Sequence, residues 1–439
     1  MSMKRLFAMN GVPCPCGREH SFTAQVLSGS GVLEQLPQTA AQFHARKVFV
    51  LSDLNTYDAA GSRVCRLLSQ AGFAVQSYVL PEKEPKPDEA RVGAAVMHMD
   101  ADCDLVVGVG SGVINDIGKI LAAIGKLPYI IVGTAPSMDG FASATSSMTR
   151  DGLKVSLPSK AADVIIGDTD ILRQAPLRLL QAGLGDMIAK YVSICEWRMA
   201  HIITGEYYCE EVAQLIREAL KQCIDGAEGL LRREEGAVAA VFEGLVIGGV
   251  AMNYAGCSRP ASGQEHYISH VIDMRSVEFG TREDLHGTQC AIGTLETLRL
   301  YEKLLQVMPD KDKALTYAQK FDYEDWASQL RAFLGRGADS MVELEKKEKK
   351  YDLAAHSQRL EIILDNWEEL MTIVREELPP AEEVEKLLNL IGAPKRLEDI
   401  GVDGTILPMA FRVTKDIRDK YVLSRLMWDW GVLDELVEG

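Results

Sequence analysis

Apolar residues recur along the chain with two different periods. From Lys47, short apolar runs alternate with longer amphipathic stretches. KVFVL (47–51), FAVQSYVL (73–80), DLVVGVG (104–110) and PYIIVGT (128–134) are brief and bounded by turn residues, the pattern of buried strands. Between them, TYDAAGSRVCRLLSQAG, DEARVGAAVMHMDA and VINDIGKILAAIG carry apolar positions at helical spacing, and the first ends at a glycine, a common helix stop. Strands alternating with helices predict a parallel sheet covered on both faces. The strand signal fades after about Ile166, and helical patterns run from Pro176 to the end, punctuated by LPP at 378–380 and GAP at 392–394. The charged run VELEKKEKKYD reads as a solvated helix face. There is no internal repeat. The expectation is an α/β N-terminal domain over 1–166 and an all-α C-terminal domain over 167–439, with the cleft between them as the default ligand site.

Composition narrows the function. The chain has 439 residues, 47% hydrophobic and 25% charged, with a formal net charge of -16. So negative a surface repels phosphate backbones and anionic lipid, which argues against nucleic acid and membrane partners. An anionic substrate would have to be met locally by Lys, Arg, backbone N–H groups or a metal. Nine scattered cysteines read as reduced thiols. MSMKRLFAMN lacks the features of a signal peptide, and no uncharged apolar run reaches the ~18 residues that span a bilayer, so a cytoplasmic location is expected. Residues 1–45 are harder to read. CPCGREH holds Cys14, Cys16 and His20, but a C-x-C without a second cysteine pair predicts a turn or hairpin in preference to a metal site.

Two groups of residues carry candidate chemistry. GVGSGVIND, Gly108 to Asp116, joins a strand to a helix, so its backbone can approach a pyrophosphate and the helix start offers N–H groups and a positive dipole end. Val113 stands where the dinucleotide fingerprint needs glycine, and a turn that only packs a helix on a sheet fits as well. Asp53 ends the first strand, where it could accept bonds from an adenosine ribose or cap a helix. TAPSMDGFAS, Thr134 to Ser143, is rich in hydroxyls around Asp139 and could line the same cleft or be an ordinary loop.

The second group lies in GLGDMIAKY, RPASGQEHYISH and DLHGTQ, between Gly183 and Gln289, which hold Asp186, His266, His270 and His286. Three of the eight histidines fall in this short span, and His266 and His270, four apart, share a helix face. One carboxylate with imidazoles suits a catalytic divalent metal with an open position, although any one of these histidines alone fits a hydrogen-bonded polar residue. Mixed N/O ligands do not choose between zinc and nickel. Arg259, Ser262 and Lys160 are candidate phosphate donors by nearness in sequence.

Together GVGSGVINDIGK, TAPSMDGFAS, GLGDMIAKY, SRPASGQEHYISH and LHGTQ resemble the sn-glycerol-1-phosphate dehydrogenases, within the superfamily of dehydroquinate synthase and the iron-type alcohol and glycerol dehydrogenases. The resemblance runs from about Lys47 to Gly287, and the tail AFRVTKDIRDKYVLSRLMWDWGVL looks most like the bacterial branch. It implies a dehydroquinate synthase-like fold and reduction of dihydroxyacetone phosphate to sn-glycerol 1-phosphate with NAD(P)H, in phospholipid metabolism. It implies one divalent metal, zinc or nickel, on Asp186, His266 and His286, with His270 beside the substrate and Asp139 and Asp186 at the glycerol hydroxyls. It puts Gly110, Ser111, Gly112, Val113, Ile114 and Asp116 at the pyrophosphate, Thr134, Ser137 and Ser143 toward the nicotinamide, and Asp53 at the ribose, where it would repel a 2′-phosphate and favour NADH. A homodimer is the expected assembly. Rival readings are a dehydroquinate synthase-type lyase, a glycerol dehydrogenase acting on an unphosphorylated polyol, and a non-catalytic nucleotide or metal sensor.

Overall fold

The computed structural model describes residues 2–438. Two compact units are present. One takes the chain up to Met187 together with Gln214–Gly256; the other takes Ile188–Ala213 and the chain from Cys257 onward.

The first unit is built on a six-stranded sheet. Its strands are β3 (Gln25–Gly29), β4 (Lys47–Asp53), β5 (Ala74–Leu80), β6 (Leu105–Gly110), β7 (Tyr129–Gly133) and β10 (Val164–Asp168). They pair in the order β3-β10-β7-β6-β4-β5, all parallel. The central strands are buried throughout β6, β7 and β10 and in all but the first residue of β4. That is why they read as unbroken apolar runs and not as alternation: each has a covered face on both sides. Val48, Val50, Leu105, Val107, Val109, Ile130, Val132, Val164 and Ile166 form one core with Leu33, Leu36, Val64 and Leu68 from flanking helices. Each such side chain, fully buried, contributes roughly 1.5–3 kcal/mol.

The expected four strands are all present, and two more complete the sheet. β3 is a short edge strand, half-buried along its length, in the N-terminal region that showed no clear pattern. Two antiparallel hairpins stand apart from the sheet: β1 (Val12–Pro13) with β2 (Glu19–His20), and β8 (Thr145–Arg150) with β9 (Leu153–Pro158). The first bears out the hairpin expected from CPCGREH. The second turns at Asp151 and Gly152, both with positive φ, as a tight hairpin requires.

Helix Glu235–Ala255 is long and apolar enough to cross a membrane, but two thirds of its most apolar window is buried. It is a core helix of the first unit: its Phe242 ring sits against Gly133 of β7, Gly167 of β10 and Phe141.

The second unit is helical. Helices Lys190–Thr204, Gln264–Phe279, His286–Leu304 and those that follow enclose a core containing Trp326, Trp367, Trp428, Trp430, Tyr301 and Phe411.

Candidate functional site

In the first unit the sheet order sets the position of the residues expected to meet the cofactor. From β4 the chain steps outward to β5, then returns to the other side of β4 as β6. The strand order therefore reverses between β4 and β6, and in open α/β sheets ligands bind at the carboxyl ends of the strands flanking such a switch point. Asp53 is the last residue of β4, and the Gly108–Gly112 turn leaves β6. Helix Gly112–Gly125 starts directly after Ser111, so its first N–H groups have no partner within the helix and would meet an anion with a positive dipole end. A Cβ on Gly110 would lie 2.6 Å from the Ile114 side chain, so glycine there is required by the tightness of the turn.

Asp53 is nearly buried and its Oδ1 accepts the Thr56 N–H at 2.8 Å, so the helix-cap role is present. Thr134 and Ser137 come to the turn: the Thr134 N–H donates to Gly110 O at 3.0 Å, and the Ser111 and Ser137 hydroxyls are 2.6 Å apart. Asp116 and Ser143 do not face it in the same way. Asp116 lies one turn into the helix, 3.0 Å from Lys119 Nζ, and burial pushes its carboxyl above the usual range against the pull of Lys119. Lys119, fully buried, also donates to Ser143 Oγ and to Gly140 O, each at 3.3 Å. It ties the 134–143 loop to the helix, a role that sequence reasoning missed although Lys119 closes the GVGSGVINDIGK block.

The same loop meets Asp186. The Asp139 N–H donates to Asp186 Oδ2 at 2.9 Å, so two of the expected substrate residues are adjacent, and Asp186 is fully buried. Helix Leu177–Ile188, which carries Asp186, approaches the loop so closely that a Cβ on Gly183 would sit 1.7 Å from Pro136 O.

In the second unit the three histidines converge. His266 and His270 lie one turn apart on helix Gln264–Phe279, and His286 is the first residue of helix His286–Leu304. The His266 and His286 ring centroids are 5.0 Å apart, and those of His270 and His286 are 6.4 Å apart. Each of the first pair is held through Nδ1. His266 Nδ1 is 2.8 Å from Glu265 Oε1, and His286 Nδ1 is 3.0 Å from Ser269 Oγ. Gln289 donates to Ser269 Oγ and to Asp273 Oδ1, both at 2.9 Å, fixing the hydroxyl. Imidazoles that ligate metals through Nε2 are characteristically anchored in this way at the other nitrogen, so the pair fits a divalent metal. Cys290 Sγ lies 3.6 Å from His286 Nε2, and His266, His286 and Cys290 have ligand atoms within 4.8 Å of one another. Glu265, Ser269 and Gln289 escaped sequence reasoning because their part depends on packing. Cys290 was findable, four residues after His286 on the same helix face.

Burial dominates the electrostatics around His266. It raises the carboxyls of Glu265 and Glu196, the latter further raised by the charge of Glu265. Glu196 is anchored by the N–H groups of Gln264 and Leu423 at 2.9 and 2.8 Å. Two of the candidate phosphate donors, Arg259 and Lys160, are engaged in ion pairs. Arg259 is buried against Glu206 at 2.7 Å and Tyr421 O at 2.7 Å, and Lys160 pairs with Asp163 at 2.7 Å. Ser262 accepts a bond at its carbonyl from the buried Lys420 at 2.8 Å.

A family model described as iron-containing alcohol dehydrogenase matches residues 27–176. The chain is 27% identical over 415 residues to a protein of Halalkalibacterium halodurans named glycerol-1-phosphate dehydrogenase (NAD(P)+), covering 93% of this chain and 94% of that one. It is 33% identical over 304 residues to the Methanosarcina mazei protein of the same name, covering 68% of this chain and 83% of the relative. The crystal structure of glycerol dehydrogenase from Schizosaccharomyces pombe superposes with a TM-score of 0.59 at 17% identity, over 96% of this chain and 92% of that chain, a likeness of fold. With these relatives, the parallel sheet and the histidine cluster, the chain belongs to the glycerol-1-phosphate dehydrogenase family, on the iron-type alcohol dehydrogenase fold.

Proposed function

We propose that this protein reduces dihydroxyacetone phosphate to sn-glycerol 1-phosphate with NAD(P)H, using one divalent metal, zinc or nickel. The observation that carries the reading is the pair His266 and His286, each anchored at Nδ1 and so presenting Nε2. Asp186 is the third ligand in this proposal. In this proposal the dinucleotide-binding domain is the sheet-bearing stretch 1–166, and the metal and substrate residues are drawn from 167–439, whose segments up to Met187 and Gln214–Gly256 pack with the sheet in the first compact unit. A cytoplasmic homodimer is the proposed state. The names of the relatives and the negative surface agree with a small phosphorylated substrate and with no nucleic acid partner.

When bound, the metal supplies a Lewis acid for the ketone oxygen, and the nicotinamide supplies the hydride. The chain's own residues do the rest. Gly110, Ser111, Gly112, Val113 and Ile114 hold the pyrophosphate at the helix start, with Asp116 one turn behind. Thr134, Ser137 and Ser143 shape the nicotinamide side, and Asp53 holds the ribose. Asp139 and Asp186 accept hydrogen bonds from the glycerol hydroxyls, one present in the ketone substrate and the second formed in the product. His270, half-buried and one turn from His266, delivers the proton that ends on the product oxygen, directly or through water. That proton, with the hydride the nicotinamide would supply, balances the conversion of the ketone to the secondary alcohol.

Turnover with dihydroxyacetone phosphate and NADH, compared with unphosphorylated dihydroxyacetone, tests this reading. Net NADH consumption dependent on the phosphate is expected. A lyase would regenerate its cofactor and show none, a glycerol dehydrogenase would turn over the unphosphorylated compound, and a sensor would turn over neither.

Asp53→Ala is expected to weaken NADH binding about tenfold, the worth of roughly 1.4 kcal/mol, and to narrow the preference over NADPH. The lost helix cap costs about 1 kcal/mol of stability in addition. An unchanged NADH dissociation constant would count against the ribose role.

A further inference from the structure

We propose that the N-terminal hairpin is a second metal site, in which Cys14, Cys16 and His20 bind a structural zinc ion distinct from the dehydrogenase centre. The ligand atoms of these three residues lie within 4.8 Å of one another. Cys16 Sγ is 3.5 Å from His20 Nε2. A tetrahedral zinc with Zn–S of about 2.3 Å and Zn–N of about 2.05 Å has an S···N edge of about 3.5 Å. The spacing of these two atoms is therefore already that of two corners of the coordination shell.

The backbone explains why the residues meet. Pairing of β1 with β2 sets Val12 opposite His20 and Pro13 opposite Glu19. The intervening loop folds back, with Cys14 N–H donating to Arg18 O at 2.8 Å and Gly17 N–H to Cys14 O at 2.9 Å. His20 thus returns over the turn that carries both thiols. C-x-C alone is a weak metal signal; the strand register supplies the third ligand. The frame is held on several sides. The His20 ring stacks on Tyr254 at 5.0 Å and is nearly buried, Arg18 donates to Ala255 O at 3.1 Å, and Asn10 bonds Phe22 through both main-chain groups at 2.6 and 2.9 Å.

Two-residue strands with mostly exposed side chains have little apolar area to bury, and an isolated hairpin is marginal in water. A metal cross-link supplies the missing stability in such small elements. Two thiolates and an imidazole are soft to borderline donors that select zinc over magnesium, calcium or manganese. This contrasts with the N/O set proposed for the catalytic metal. The fourth position of the tetrahedron is filled by water or by another thiolate of the chain.

Metal content of the purified full-length protein tests the proposal. Two equivalents per chain are expected in the parent protein. The double variant Cys14→Ser/Cys16→Ser is expected to keep one and to retain dihydroxyacetone phosphate reduction within about twofold, whereas His286→Ala keeps only the hairpin equivalent. Cobalt substitution in a Cys290→Ser background gives an independent reading. Thiolate-to-cobalt charge-transfer absorption is expected there and lost on adding Cys14→Ser/Cys16→Ser. Should the double variant fail to fold, Cys16→His keeps a ligand in place and is expected to retain metal while reducing that absorption. A single metal equivalent in the parent, lost entirely with His286→Ala, overturns the proposal. So does cobalt–thiolate absorption unchanged by Cys14→Ser/Cys16→Ser or by Cys16→His.

Discussion

Alanine in place of His266, His286 or Asp186 is expected to remove the catalytic metal and dihydroxyacetone phosphate reduction together, with the circular dichroism of the fold unchanged. Lewis-acid stabilisation is worth several kcal/mol in the transition state, and each ~1.4 kcal/mol is tenfold in rate, so activity falls by about a thousandfold or more. The outer contacts give a graded version of the same result. Glu265 Oε1 lies 2.8 Å from His266 Nδ1, and Ser269 Oγ lies 3.0 Å from His286 Nδ1. Loss of such an anchor weakens metal binding by roughly 10–100-fold. Glu265→Gln is therefore expected to need more metal for half-maximal activity while approaching the parent rate at saturation. Full metal occupancy in all three alanine variants, by mass spectrometry, would refute the ligand assignment.

The second large effect concerns Gly183. A Cβ added at this position would lie 1.7 Å from Pro136 O and 3.0 Å from Val241 Cγ1. The nearer obstructing atom is backbone, so no side chain can swing aside. Pro136 precedes Ser137, whose hydroxyl pairs with Ser111, and the loop continues to Asp139, which donates to Asp186. Gly183→Ala must push this loop away. Overpacking of this kind costs about 3 kcal/mol at the upper end of its usual range. A melting temperature lower by several degrees is expected, together with weaker NADH binding. Gly93→Ala serves as the control: no atom lies within 4 Å of its Cβ position inside helix Glu89–His98, and alanine there favours the helix by roughly 0.5–1 kcal/mol. Equal melting temperatures for the parent and Gly183→Ala would contradict the close approach.

Much of the first unit was legible along the chain because burial on both faces leaves a simple trace. β6 and β7 are apolar throughout apart from glycine and the Tyr129 hydroxyl, β4 carries the apolar run VFVL, and each follows or precedes a stretch of helical period. β3 was illegible for the opposite reason: QVLSG is five residues, none fully buried, at the edge of the sheet. The β8–β9 hairpin did leave a signal, since Asp151-Gly152 is the dipeptide that a tight turn favours, but β8 (TSSMTR) is polar except for Met148 and β9 (LKVSLP) alternates, so neither has a long hydrophobic run. In the candidate site, the four-residue spacing of His266 and His270 gave a shared helix face from the sequence alone. The anchoring of His286 by Ser269, and of Ser269 by Gln289, depends on how two helices pack and has no linear trace. Arg259 and Lys160 illustrate the converse. Nearness in sequence makes them candidate phosphate donors, and packing pairs them with Glu206 and Asp163, which the sequence does not reveal.

The most direct measurement is NADH oxidation with dihydroxyacetone phosphate by metal-stripped protein, before and after reloading with zinc or nickel. Negligible turnover without metal and recovery on reloading are expected in the parent protein, with no recovery in His286→Ala. Full turnover by the stripped parent protein, or equal recovery in parent and variant, would contradict it.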